Sequence, residues 1–262
     1  MKPLSRLPLA LAVFALSSSF LLAQDEEARG PAPDGGTIEM MHSITITAAA
    51  HAPFSGVVRT GWTQTLEDGS TVTRENHRVV MRDSVGRIFQ ERRTLVAKGG
   101  TEEPELRRIE ISDPKRHIKY FCRATDHVCL VHGYVGPPTE EMEPENAEVA
   151  GKVTITREDL GKSNISGLEA TGTKETRVIG AGAIGNDRPI MITKEIWYSP
   201  QLQMNVMVKR SDPRHGVQTL TMTDVSLAEP DPKYFQLPAG YKVFDPRMNH
   251  GSPGAPPQAA EE

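Results

Sequence analysis

Aromatic residues make up only 5% of this 262-residue chain, and cysteine occurs twice. So few large rings leave little choice of side chains to fill an interior, and two cysteines cannot build the multi-disulfide frame of a small secreted scaffold. Charge of one sign is not in surplus either. Against 34 Asp and Glu stand 30 Lys and Arg, a formal net charge of -4, so the basic excess expected of a nucleic-acid-binding surface is missing. After the first 25 residues no apolar run is long enough to cross a bilayer as a helix. Neither Gly-x-Ser-x-Gly nor His-Glu-x-x-His occurs, which removes the elbow nucleophile and the standard zinc protease. What is plentiful is glycine and proline, 22 and 20 residues, set among short β-branched runs, a composition that leans toward strands and turns.

The N-terminus carries the clearest targeting signal. Lys2 and Arg6 precede an apolar stretch from Leu7 to Leu22, and the small residue Ala23 is followed by Gln24, Asp25, Glu26 and Glu27. This pattern predicts a secretory signal peptide over 1–23 and a periplasmic or secreted protein with no transmembrane segment in its mature chain. Removal of Lys2 and Arg6 leaves a net charge of -6. The acidic, Gly- and Pro-bearing stretch over 24–37 and the Pro-rich tail over 246–262 read as disordered ends, and a third such segment, 136–148, as a long acidic loop.

Between these segments lies one β domain, 38–245. Val58, Thr60, Trp62 and Leu66 recur at even spacing, Glu67-Asp-Gly-Ser70 supplies a hairpin turn, and Thr71-Val-Thr-Arg74 begins the return. Val79-Val-Met81 leads through Asp83-Ser-Val-Gly86 into a strand from Arg87 to Val96. Arg108-Ile-Glu-Ile111 alternates before the turn Ser112-Asp-Pro114, and His117–Phe121 runs on from it. Further strands are expected over 152–157, 168–179, 190–198, 204–210 and 217–227. Ten or eleven strands joined by short turns predict a mainly β chain, a single antiparallel sheet or open barrel, with few helices and a single turn at Pro232–Phe235.

Cys122 and Cys129 flank the polar turn Ala124–His127, so a hairpin would place them opposite each other, and export favours a disulfide. The alternative is a metal site with His127 and His132, but neither Cys-x2-Cys nor His-x3-His spacing is present. Gly180-Ala-Gly-Ala-Ile-Gly185 matches a dinucleotide fingerprint, yet Pro189 and a β-rich run follow where that motif needs a helix, so a strand-connecting loop is expected. Ser211, Asp212 and His215 sit within Ser-Asp-Pro-Arg-His-Gly, which is first of all a turn. Met40, Met41 and His42 suggest copper ligands but read as strand surface. No catalytic residue, metal or cofactor is assigned. A sheet that curls without closing has a concave face, and Trp62, Phe89, Tyr120, Trp197 and Met207 are the candidates to line it as ligand-binding residues.

Several C-terminal segments resemble a family of exported proteins common in acidobacterial genomes. They are Glu158-Asp-Leu-Gly161, Ile165–Thr173, Gly182–Pro189, Glu195-Ile-Trp-Tyr-Ser-Pro200, Lys209–Pro213 and Glu229-Pro-Asp-Pro232. The ending Phe235-Gln-Leu-Pro-Ala-Gly-Tyr-Lys-Val243, with Ile111-Ser-Asp-Pro114 ahead of an extended Tyr120, is similar at the fold level to the LolA-like lipoprotein-carrier superfamily. That resemblance implies a half-barrel whose concave side, closed by helices, takes up acyl chains; this chain departs from it in lacking lid helices. The expectation is therefore a non-enzymatic binding or carrier protein for a lipid or lipoprotein acyl chain. The alternative is a structural or signalling module that meets another envelope protein.

Overall fold

The computed structural model describes residues 43–136 and 153–246. The expected signal peptide (1–23), leader (24–37), acidic loop beyond its first residue, Met40-Met41-His42 cluster and tail beyond residue 246 lie outside the described residues.

Among the described residues thirteen strands follow in order: β1 (Phe54–Thr65), β2 (Thr71–Arg82), β3 (Ile88–Arg93), β4 (Val96–Ala97), β5 (Leu106–Asp113), β6 (Ile118–Arg123), β7 (Val128–Gly133), β8 (Val153–Ile165), β9 (Leu168–Ile179), β10 (Ile190–Ser199), β11 (Met204–Asp212), β12 (Gly216–Ser226) and β13 (Lys242–Phe244). The expected single turn is a 3-10 helix over Pro232–Phe235, started by Asp231, whose side chain accepts from the Lys233 N–H. Local chemistry sets the strand ends. At the first hairpin Gly69 takes φ +82 and Asp68 Oδ1 accepts from the Ser70 N–H and hydroxyl, as an Asp-Gly turn requires.

All thirteen strands form one sheet in the order β13-β7-β6-β5-β3-β2-β1-β12-β11-β10-β9-β8, with β4 beside β2, and its two edges do not meet. Pairing is antiparallel except at β13, which runs parallel to β7. Two meanders are thus joined along one seam, β1 against β12. The sheet curls. The Ser166 hydroxyl, in the β8–β9 turn, donates to the Met222 carbonyl on β12 at 2.6 Å. Those strands stand three places apart, about 14 Å on a flat sheet, far beyond the reach of a serine.

The concave face from β2 to β9 is filled by the chain itself. Phe54, Val58, Val80, Leu168, Ala170, Val206, Val208, Leu220 and Met222 form one buried cluster there, closed by Ile44 and Ile46 from the segment before β1 and by Leu202 from the β10–β11 turn. Arg82, fully buried, ties these pieces together. It donates to the carbonyls of Ala52, Thr47 and Leu202, and its guanidinium lies 5.1 Å from the Phe54 ring centre. A second, smaller cluster of Met81, Phe89, Ile111 and Phe235 occupies the other face of the first meander. The segment after β12 crosses that face, pinned by Glu229 accepting from the Ser84 N–H and by the Phe235 ring under Arg87.

Cys122 and Cys129 are paired across β6 and β7 and form the expected disulfide. Both are fully buried.

Candidate functional site

Strand alternation sends Val58, Thr60 and Trp62 of β1 into the interior and leaves Arg59 and Gly61 on the opposite face. Register then places Arg59 beside His77 of β2 and Thr221 of β12, and Gly61 beside Glu75 and Thr219. Thr219, Thr221 and Thr223 stand two residues apart and form one wall. The other wall comes from β4 and the chain after it, with Val96, Ala97, Glu102, Glu103 and Pro104. The result is an open groove of about 600 Å³, within the usual range for ligand sites.

Its floor is bare at Gly61, where an added Cβ meets nothing within 4 Å. Arg59 is fixed at one end by its bond to Thr223 Oγ1 (3.3 Å) and its pairing with Asp224 (3.7 Å). Three carboxylates, Glu75, Glu102 and Glu103, line the groove against the single guanidinium of Arg59. The field therefore favours a cationic occupant. Threonine methyls, Val96, Ala97 and Pro104 supply apolar contact.

The same sheet carries a buried charge network over β2, β3, β5 and β6. Glu110 is 1% exposed. Its carboxylate accepts from Arg92 Nε (2.9 Å), Arg108 Nη2 (2.8 Å) and Gln90 Nε2 (2.8 Å), and Lys119 Nζ lies 3.2 Å away. Burial alone would raise its pKa, but Arg92, Lys119 and Arg108 outweigh that and hold it at about 2. Arg78, bonded to Gln90, Ser43 and the Ile44 carbonyl, is pulled down to about 9 by burial and by repulsion from Arg92. The network joins the segment before β1 to the first meander and has a structural role.

The five residues expected to line a ligand site are dispersed. Phe89 and Tyr120 belong to the smaller cluster, while Trp197 packs against the main one and donates from Nε1 to Glu195. Trp62 is buried, with its Nε1 donating to the His215 carbonyl at 2.7 Å. Met207 is half-buried opposite Trp197 and Thr221. None of the five borders the groove. Asp212 is buried and accepts from Arg214 and His215, while Ser211 points to the other face of β11, so those three side chains form no relay. Residues 180–189 form the loop joining β9 to β10, and no helix follows the glycine string. Among the described residues no three His, Cys, Asp or Glu side chains converge as metal ligands. The groove-lining residues escaped the sequence reading. The alternating threonines in Thr219-Leu-Thr-Met-Thr223 were the available signal, but strand spacing does not say which face a partner strand presents.

No family model matches the chain, and no curated protein matches it, so the acidobacterial resemblance has no sequence counterpart here. Solved structures similar in strand arrangement include the Pseudomonas aeruginosa MucA/MucB complex, at 11% identity and a TM-score of 0.35, covering 73% of this chain and 58% of that one. LprF from Mycobacterium bovis follows at 16% and 0.28, covering 70% and 90%. A LolA superfamily protein from Nitrosomonas europaea stands at 9% and 0.27, covering 73% and 98%. The chain thus spans little more than half of its MucB-complex counterpart.

Proposed function

We propose that the protein is an exported, non-enzymatic binding module of the cell envelope. It works by holding an extended, Lys- or Arg-bearing segment of another envelope protein in the groove across β1, β2 and β12. The observation that carries this reading is the division of labour between the two faces: the concave face spends its apolar side chains on the protein's own core, while the opposite face leaves a groove open. Threonine hydroxyls offer hydrogen bonds along an extended chain, and the three carboxylates give it a sign preference. A carrier for a lipid or lipoprotein acyl chain is the second reading, supported by the apolar part of the same groove at Val96, Ala97 and Pro104.

The test is photo-crosslinking in producing cells from a reactive group at Thr221, with native mass spectrometry of the purified full chain. A crosslinked polypeptide that disappears in Gly61→Phe, whose ring fills the groove, is the expected result. A bound lipid mass lost in the same variant would transfer the site to the second reading. Neither species in the wild-type protein would refute both.

A further inference from the structure

Beyond the packed core the concave face continues across the first meander, and there it is basic. Val80 of the main core, Gln90, Glu110, Phe121, Leu130 and Phe244 stand in one row across β2, β3, β5, β6, β7 and β13, each directly opposite the next. Alternation sets Arg78, Arg92, Arg108 and Lys119 on the same face, two residues along their strands from that row. Among the described residues Glu110 is the one acidic side chain that these six strands place there.

Four cations therefore share one carboxylate. Arg92, Arg108 and Lys119 all turn to Glu110, while the donors of Arg78 go to neutral acceptors, Gln90 Oε1, Ser43 Oγ and the Ile44 carbonyl. Burial, and then repulsion from Arg92, pull Arg78 down to about 9, so it is still charged at neutral pH. Arg92 and Arg108 are direct cross-strand partners, and like charges so placed destabilise a sheet. Arg123, next in that row, is taken by Asp126 and is left out of the count. Arg78 is sealed in the floor, whereas the side chains of Arg92, Arg108 and Lys119 are 26–33% exposed. The excess that solvent reaches is three cations less one carboxylate, or two positive charges. Donors are left over as well. Arg108 directs Nε and Nη2 to the same oxygen, Glu110 Oε1, and among the described residues its Nη1 meets no acceptor. Lys119 Nζ carries three N–H groups and has one such acceptor, Glu110 Oε2. Both cations lie over the Phe121 ring, Arg108 Cζ at 4.7 Å and Lys119 Nζ at 4.3 Å from its centre, and the His132 ring stands edge-on to it at 4.9 Å. From Phe121 the row runs on through half-buried Leu130 to Phe244, which is 49% exposed at the sheet edge.

We propose that this part of the concave face binds a phosphate monoester carried on an apolar body, its head on Arg108 and Lys119 and its body along Leu130 and Phe244. A doubly charged head matches the two-charge excess, and a guanidinium fork beside a lysine point charge suits its oxygens. Phe121 and Phe244 are two strands apart, about 10 Å, which sets the length of body the row can cover. The chemistry is shared by a free alkyl phosphate and by a phosphatidic acid headgroup. The site lies on the face opposite the groove and does not rest on what the groove holds.

Calorimetry on the full chain with octyl phosphate and the singly charged octyl sulfate, at about pH 8 where the phosphate monoester is a dianion, is the first arm of the test. Sedimentation with phosphatidylcholine vesicles, with and without phosphatidic acid, is the second. Binding of octyl phosphate, tighter than octyl sulfate, with no vesicle bound marks a free ligand; sedimentation that requires phosphatidic acid marks a headgroup. In either case Lys119→Gln should weaken affinity roughly tenfold, about 1.4 kcal/mol. Lys162→Gln with Lys233→Gln, which removes charge from exposed sites, should change it little. Phe244→Ser, at an exposed position, should weaken it roughly fivefold through lost apolar contact, and this repeats the test should Lys119→Gln fail to fold. Four results would overturn the proposal: wild-type protein that binds neither probe, octyl sulfate bound as tightly as the phosphate, a loss in Lys119→Gln no larger than in the surface variant, or unchanged affinity in Phe244→Ser.

Discussion

Glu110 is the residue on which the first meander depends most sharply, because a carboxylate removed from water is tolerable only while its cations stay in place. Replacing it by Gln would leave Arg92, Arg108 and Lys119 crowded around a neutral group. The expected loss is about 3–5 kcal/mol, read as a lower urea midpoint. Its titration has a definite sign. The folded pKa of about 2 lies below the ordinary 4.5, so the carboxylate's contribution is present in full above about pH 4.5 and drains away as pH falls toward 2. That gap corresponds to about 3 kcal/mol. Stability measured across this window should therefore fall more steeply in the wild type than in Glu110→Gln, and parallel curves would show that the network is not holding the charge. Arg82 works differently, since its partners are backbone carbonyls of three separate segments. Arg82→Met keeps the bulk but strands those oxygens, each at about 1–3 kcal/mol. It should also raise hydrogen exchange first in the segment before β1 and in the β10–β11 turn. Unchanged exchange there would mean those segments hold without the arginine.

The β6–β7 hairpin shows how an element combines a local turn with a covalent tie. Arg123 and Asp126 pair across its tip, His127 adopts φ +53 at the turn, and the disulfide closes a loop of sequence separation 7. Removing the tie with Cys122→Ala and Cys129→Ala should cost about 2.5 kcal/mol on chain entropy. The native protein should titrate no thiol until reduced. This hairpin was legible in the sequence, as were β1–β2 and the strands expected over 168–179 and 190–198, because alternation and turn residues are local signals. Three features were not. The parallel pairing of β13 with β7 joins segments more than a hundred residues apart, and periodicity carries no information about such partners. The grouping of Arg92, Arg108, Glu110 and Lys119 depends on the register of three strands. The choice of groove residues over large aromatics turned on which face the core had already claimed: Trp62 looked available by size, yet the curl placed it inside, capped by the His215 carbonyl.

At the scale of the whole molecule, the two meanders share a single seam, and their stabilities are tied through it. β1 pairs with β12 over most of its length, and the main core draws on both meanders at once, from Val80 and Ile88 on one side to Leu168 and Val208 on the other. Neither half can then expose its concave face without stripping the other, which is the condition for one cooperative transition. Gly216 sits where β12 begins against β1. It takes φ +86, and a Cβ there would press into the Thr63 carbonyl. Gly216→Ala therefore combines a left-handed backbone penalty with a clash against the partner strand, and its cost should be well above 1 kcal/mol. The chain's two tryptophans report on the two sides, Trp62 on β1 and Trp197 on β10. Single-tryptophan proteins, Trp197→Phe and Trp62→Phe, should each show that Gly216→Ala lowers the denaturant midpoint by the same amount for either reporter. If the Trp62 signal moved alone while the Trp197 transition stayed put, the meanders would be separate folding units, and the continuous core across the seam would not govern their stability.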